Sequence, residues 1–270
     1  MNIFKTFSIF FIPFFISINF SSGQTNNSNP FNLDFTREAV ILGTGTAAGI
    51  TAILIFNNID ALTNEEINSL NRNDVSGFDR IAIGMFAEDH FGDGLLYSAF
   101  LLPVSFLAFE ETEKDFFDLV FMYGEVLLIQ SSITGIVKGT VLRTRPYVYD
   151  ENSPMNKKTA ADARVSFFSG HVSSTAAITF FTARVFSEYV QGNTARILIW
   201  SGTIIYPALV GILRMNKHWH FPTDVITGYT IGALVGYFIP ELHKNKLGDS
   251  VSIYPSININ QPTLSLQIKF

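Results

Sequence analysis

The chain has 270 residues, 47% of them apolar and 15% charged, with 27 Phe, no Cys and a formal net charge of −5. This composition excludes a disordered, collagen-like or disulfide-stapled chain, and without Cys there is no thiolate nucleophile, Cys-based zinc site or iron–sulfur cluster. The acidic balance leaves no electrostatic footprint for nucleic acid, and the length suits one domain with or without a tail.

The first 23 residues carry one early charge, Lys5, then an apolar run from Phe7 to Phe20 and the small residues Ser21, Ser22 and Gly23. This is the pattern of a secretory signal peptide cut near Gly23–Gln24, with an uncleaved anchor helix as the alternative. A polar, Asn-rich linker is expected over 24–38. Apolar stretches of helix length then recur at about 39–56, 94–109, 116–137, 171–186, 197–213 and 225–240. They predict an all-α fold, a bundle of about six helices filling a domain over 39–246. Most of these runs sit at or below the ~20 residues a membrane span needs, and the third carries Asp118 and Glu125, costly against lipid. Spanning helices and a compact extracytoplasmic bundle therefore both remain open.

The connection 57–93 holds eight acids against Arg72 and Arg80. Within it, 64–73 reads as a short amphipathic helix started by Leu62-Thr63-Asn64-Glu65-Glu66. Glu88-Asp89-His90 ahead of Gly92 reads as a solvated turn. Beyond Lys246 the pattern changes to a period of two. That predicts a β-hairpin-like tail over 247–270, turning around Asn258–Pro262.

Three clusters place basic, hydroxyl and imidazole groups at the ends of apolar helices. The first holds Lys138, Arg143 and Arg145, ahead of Pro146. Arg offers a planar donor fork to an oxyanion and Lys a mobile point charge. The second is Ser166-Phe-Phe-Ser169-Gly170-His171, where a Ser-Gly helix start exposes backbone N–H groups and a positive dipole end to an anion. The third runs from Arg214 through His218, Trp219 and His220 to Asp224. A His followed four residues later by an Asp can fix the imidazole tautomer and leave the other nitrogen free to attack. Trp219 could stack on a substrate or simply pack.

Taken together and in order, the clusters resemble the type 2 phosphatidic acid phosphatase family, which is related to bacterial class A acid phosphatases and vanadium haloperoxidases. The family pattern is K-x6-R-P, then P-S-G-H, then S-R-x5-H-x3-D. Lys138, Arg145 and Pro146 match the first element, Ser169, Gly170 and His171 the second, and Arg214, His220 and Asp224 the third. Phe168 stands where the family has Pro and Leu213 where it has Ser; neither change removes a charged or imidazole group. The resemblance covers about 90–240. It implies a metal-independent phosphatase of the cell envelope, facing the periplasm and integral to or associated with the membrane. The substrate would be a lipid phosphate or pyrophosphate of the phosphatidate or isoprenoid phosphate class, with no cofactor. By resemblance, His220 is the nucleophile, Asp224 orients it, and His171 protonates the leaving oxygen and then activates water. Lys138, Arg145, Arg214, Ser169 and Gly170 hold the phosphate oxygens. A nonspecific acid phosphatase and a vanadate-dependent haloperoxidase are the alternative enzymes, and an envelope structural protein the non-enzymatic one. Parity adds a condition. If Gln24 is exported, three full spans place Lys138 in the cytoplasm, whereas the resemblance implies an outward-facing site.

Overall fold

The computed structural model describes residues 29–190, 192–244, 251–258 and 261–268; the expected signal segment 1–23 lies outside them. Six helices of ten residues or more account for most of the described chain. They are α1 (Phe35–Phe56), α2 (His90–Ala99), α3 (Phe116–Val141), α4 (Gly170–Tyr189), α5 (Asn193–Asn216) and α6 (Pro222–Leu242). They correspond one for one to the six apolar stretches, so the all-α reading holds. The tail forms a two-stranded antiparallel hairpin, β1 (Val251–Asn258) and β2 (Gln261–Ile268), registered from Val251↔Ile268 to Asn258↔Gln261.

The helices start and stop for local reasons. α1 begins inside the expected linker, because Asp34 caps it by accepting from Arg37 N at 3.0 Å. In the acidic connection, Thr63 and Glu66 form a reciprocal capping box on Asn64–Ser69. The helix expected over 64–73 stops at Ser69, and Arg72–Asp74 follows as a 3-10 turn. α3 ends where Leu142 turns left-handed at φ 48°, and Pro222 opens α6 at a position where its missing N–H costs nothing.

Two parallel pairs build the bundle. α4 and α6 make its most extensive contact, and their spacing is set by glycine. A Cβ at Gly228 would lie 2.6 Å from the Ser169 carbonyl oxygen, and one at Gly232 or Gly236 would overlap the carbonyl oxygen of Ser173 or Ala177. Four-residue steps on both helices therefore bring backbone against backbone. α1 lies parallel to α3 in the same manner, with Gly45 against Leu128, Gly49 against Ser132 and Gly139 against Ile55.

Five segments are long and apolar enough to cross a bilayer: Phe35–Phe56, His90–Ala108, Phe116–Tyr149, Asn193–Asn216 and Pro222–Leu242. Their outward faces expose large apolar side chains such as Ile53 and Leu54 on α1, Ile197 and Ile205 on α5, and Phe238 on α6. Such surface on a water-soluble monomer would be a liability. α4 is not among the five, because protein rather than lipid surrounds it. Ser173, Thr175, Thr179 and Arg184 are all buried along it. Gln130 of α3 binds Thr134 at 2.9 Å and also Ser173 of α4, closing a polar seam inside the bundle. Polar residues that lowered the hydropathy of α3 and α4 thus face inward. The larger apolar core, around Phe106, Met122 and Phe181, lies at the opposite end from the clusters described next.

Candidate active site

The C-terminal ends of α3 and α5 and the N-terminal ends of α4 and α6 meet at one end of the bundle, and all eight predicted site residues are there. His220 lies in the short connection between α5 and α6 and is buried. Its Nδ1 is 2.8 Å from the Ser166 carbonyl oxygen, and its Nε2 is 3.2 Å from Arg145 Nη1. A carbonyl only accepts and a guanidinium only donates, so Nδ1 carries the proton and Nε2 presents its lone pair. Burial, then the charge of Arg145, holds the His220 imidazolium well below its ordinary range, so the ring is neutral near pH 7.

The sequence expectation gave the orienting bond to Asp224. Here the Ser166 carbonyl makes that bond, and Asp224 Oδ2 stands 3.7 Å from Nδ1, at ion-pair distance. Asp224 is nonetheless fixed from all sides. Its Oδ2 accepts from Ser166 Oγ at 2.6 Å and from Phe221 N at 2.9 Å, and Oδ1 accepts from Arg143. Arg143 in turn binds Asp79, which also accepts from Thr223 N and Thr223 Oγ1. Burial would raise the Asp79 carboxyl, but the Thr223 and Arg143 hydrogen bonds outweigh it and keep the group ionised.

On the other side, His171 Nε2 lies 2.8 Å from Asp93 Oδ1, and the same oxygen accepts from Arg214 Nη2 at 2.6 Å. Arg214 also pairs with Asp89 at 3.3 Å. Asp89 is buried and caps α2 through Gly92 N, so within Glu88-Asp89-His90 the flanking residues are exposed as the sequence suggested and Asp89 is not. Asp89 was drawn inside by a cation more than a hundred positions away.

The remaining cations close the ring. Lys138 is buried and donates to the Val165 carbonyl oxygen. A Cβ at Gly170 would lie 3.5 Å from Lys138 Cε, so the start of α4 sits on the Lys138 side chain. Ser169 N donates to the Asp224 carbonyl oxygen at 3.0 Å, tying that start to α6. Arg145 binds Asp162 Oδ1 at 2.7 Å. Burial alone would raise the Asp162 carboxyl, but Arg145 and Lys138 hold it below its usual value. The guanidiniums of Arg145 and Arg214 lie 5.0 and 5.5 Å from the Trp219 ring, whose indole N–H donates to the Ala87 carbonyl oxygen. Trp219 therefore packs as a spacer between two like charges. His218 is turned away, held to the Ala82 carbonyl oxygen. Two buried donors of this ring, Ser169 Oγ and Arg214 Nε, have no hydrogen-bond partner among the described residues. Phe168, in place of the pattern's Pro, is buried.

Asp79, Asp89, Asp93, Asp162 and Ser166 were not among the predicted site residues. Asp79, Asp89, Asp162 and Ser166 lie in connections and Asp93 in the first turn of α2, and only Ser166 lies within a motif. The one signal for them was the acid-rich stretch 57–93, which supplies three of the four carboxylates.

Residues 119–247, just under half of the chain, match the PAP2 superfamily. The chain is 28% identical over 165 residues to a probable lipid phosphate phosphatase 4 of Arabidopsis thaliana, covering 51% of this chain and 53% of that protein. It is 27% identical over 166 residues to a lipid A 4'-phosphatase of Porphyromonas gingivalis, covering 58% and 67%. The aligned region thus spans from about half to two thirds of these relatives' length. A transmembrane phosphatidylglycerolphosphate phosphatase of Bacillus subtilis, known from a crystal structure, aligns with a TM-score of 0.45 at 17% identity, covering 73% of this chain and 94% of that one.

Proposed function

We propose that the chain is a membrane-integral phosphatase that hydrolyses a lipid phosphate or pyrophosphate, of the phosphatidate or isoprenoid phosphate class, through a phosphohistidine on His220. The observation that carries this reading is the neutral, buried Nε2 of His220 facing Arg145, with the unpartnered donors Ser169 Oγ and Arg214 Nε in the same ring. In the reaction, His220 Nε2 attacks phosphorus and the ester P–O bond breaks. The leaving oxygen takes a proton from His171, which Asp93 positions. Water then attacks the phosphohistidine, giving its proton to His171 and releasing inorganic phosphate with His220 restored. Lys138, Arg145, Arg214, Ser169 Oγ and the Gly170 amide hold the equatorial oxygens, and their fixed geometry supplies the electrostatic part of the barrier lowering. Asp224 and Arg143 keep the imidazole in place. The lipid class is supported by the names of the curated relatives and by the apolar outer surface.

Phosphate release from a diacylglycerol phosphate and from an isoprenoid phosphate in detergent, without added metal, tests the reading beside His220→Ala. Release by the wild type alone is expected. An inert wild type, on these lipids and on a soluble phosphomonoester, would overturn it.

We place the site on the outer, periplasmic face. Because α1 and α3 run parallel, Asp34 and the phosphate site lie at opposite ends of the bundle. With α1 spanning, an outward site keeps the start of the chain inside, and an exported Gln24 would turn the site to the cytoplasm. The chain has no Cys, so single substitutions report directly. Asn73→Cys, at the site end, should react with an impermeant maleimide in intact cells, and Glu111→Cys only after lysis. The reverse pattern would give the exported start and an inward site.

A further inference from the structure

The far end of the bundle holds three side chains that this chemistry does not use. Glu38 in the first turn of α1, Glu125 on α3 and His243 just past α6 are 2%, 0% and 0% exposed. His243 Nε2 lies 3.0 Å from Glu38 Oε2 and 3.0 Å from Glu125 Oε2. Its Nδ1 is 2.8 Å from the Ile239 carbonyl oxygen, which can only accept, so Nδ1 carries the proton and Nε2 is turned to the carboxylates. A proton on Nε2 is directed along the ring plane to Glu38, where the hydrogen bond is made. Glu125 lies off that line; its Oε2 is at ion-pair distance from Nε2, and among the described residues neither of its oxygens receives a well-directed hydrogen bond. Two enclosed carboxylates are thus aimed at one imidazole nitrogen, which can direct a hydrogen bond to only one of them, a costly arrangement unless a shared cation answers both. Glu38 Oε1 is already held by Arg37 and Asp34 N, which leaves Oε2 fixed towards the other two.

We propose that Glu38, Glu125 and His243 form a structural site for a divalent transition cation of the Zn²⁺ class. The ligand atoms lie within 4.8 Å of one another. Nε2, Glu38 Oε2 and one oxygen of Glu125 supply three donors, and bidentate binding by Glu125 would complete the four of a closed structural zinc site. The mixture of imidazole and carboxylate suits Zn²⁺ better than the all-oxygen ions Mg²⁺ or Ca²⁺. The Nδ1–H bond to a backbone carbonyl is the outer-shell contact that fixes a metal-binding histidine. The ion would clip α1, α3 and the end of α6 together, about 28 Å along α6 from Asp224 at 1.5 Å per residue. It takes no part in phosphate chemistry, and the proposal stands whether or not the phosphatase reading does.

The test uses the full chain in detergent, stripped with a chelator, equilibrated with Zn²⁺ and desalted. Metal per chain is counted by plasma mass spectrometry and the unfolding midpoint is followed with and without the ion. Wild type and His220→Ala should each retain about one Zn²⁺ and unfold at a higher temperature when loaded, while Glu125→Gln and His243→Gln do neither. Should those variants fail to fold, the zinc K-edge spectrum of loaded wild type reads the ligands directly, with one imidazole and otherwise oxygen expected. Wild type that retains no Zn²⁺ overturns the proposal and leaves a proton holding the cluster. Equal retention by folded Glu125→Gln, or a spectrum with two imidazoles, overturns it as well.

Discussion

Two buried histidines, one at each end of the bundle, anchor Nδ1 in the same way and have opposite surroundings. His220 and His243 both give Nδ1–H to a backbone carbonyl, of Ser166 and of Ile239. The free nitrogen of His220 meets the Arg145 guanidinium, and that of His243 meets two carboxylates. A lone pair beside fixed cations is poised to attack a phosphate that those cations attract. A nitrogen beside fixed anions is poised to share a cation with them, whether a proton or a metal ion. What decides the role is therefore the sign of the charge facing Nε2, which no residue next to either histidine in the sequence reveals.

The largest effect that would break this comparison is at the attacking atom. His220→Ala should lower phosphate release by roughly 10⁴-fold or more, with the unfolding midpoint little changed; comparable turnover in the variant would remove His220 as nucleophile. At the far end, His243→Ala strands two buried carboxylates, so the unfolding free energy should fall by about 3–5 kcal/mol, read from denaturant or thermal unfolding in detergent.

The pH profile sharpens the same contrast. Burial and Arg145 depress the His220 imidazolium, and only the neutral ring can attack. Falling pH therefore costs no nucleophile through the ordinary imidazole range near 6.5. The acid limb attributable to His220 should appear only as pH passes through the depressed pKa. An acid limb centred at or above about 6.5 would contradict the buried, cation-facing ring. Asp93→Asn should act on the other imidazole. It keeps a hydrogen-bonding group beside His171 but removes the charge, so kcat should fall by roughly 10- to 100-fold with KM nearly unchanged. A change confined to KM would mean that Asp93 merely braces Arg214.

The meeting of the predicted residues at one end of the bundle was legible in the sequence, and the reason is local. Lys138, Arg145, Ser169, His171, Arg214, His220 and Asp224 each sit at the end of an apolar helix, so helix periodicity alone groups them at helix ends. What stayed hidden depends on distance in the chain. Asp93 and Asp89 reach Arg214, and Asp79 reaches Arg143, across separations that no periodic pattern records. Membrane spanning was obscured for a related reason. Glu125 and Gln130 depress the hydropathy of α3, yet both are enclosed, so a window average counts as lipid-facing what the bundle keeps inside. The glycine spacing at 228, 232 and 236 was present in the sequence as a small-x3-small run and marks where α6 meets α4.

Those glycines supply the finest test, because the two parallel pairs resemble each other and should respond differently. At Gly232 an added Cβ overlaps the Ser173 carbonyl oxygen, which is backbone and can yield only if α4 moves away from α6. Gly232→Ala should cost about 1–3 kcal/mol or more and lower turnover too, since Ser169 N is bound to the Asp224 carbonyl across that same seam. At Gly49 the added Cβ lies 3.2 Å from Ser132 Oγ, a side-chain atom that a χ1 rotation relieves. That hydroxyl already binds the Leu128 and Gly45 carbonyls, so the rotation loses one modest hydrogen bond, on the order of 0.5–1.5 kcal/mol. Replacing Gly by Ala in a helix interior returns a similar amount, roughly 0.5–1 kcal/mol. Gly49→Ala should therefore leave stability within about 1 kcal/mol of wild type and turnover unchanged. If Gly49→Ala destabilised the protein as much as Gly232→Ala, the α1–α3 seam would be as rigid as the one that positions the phosphate site.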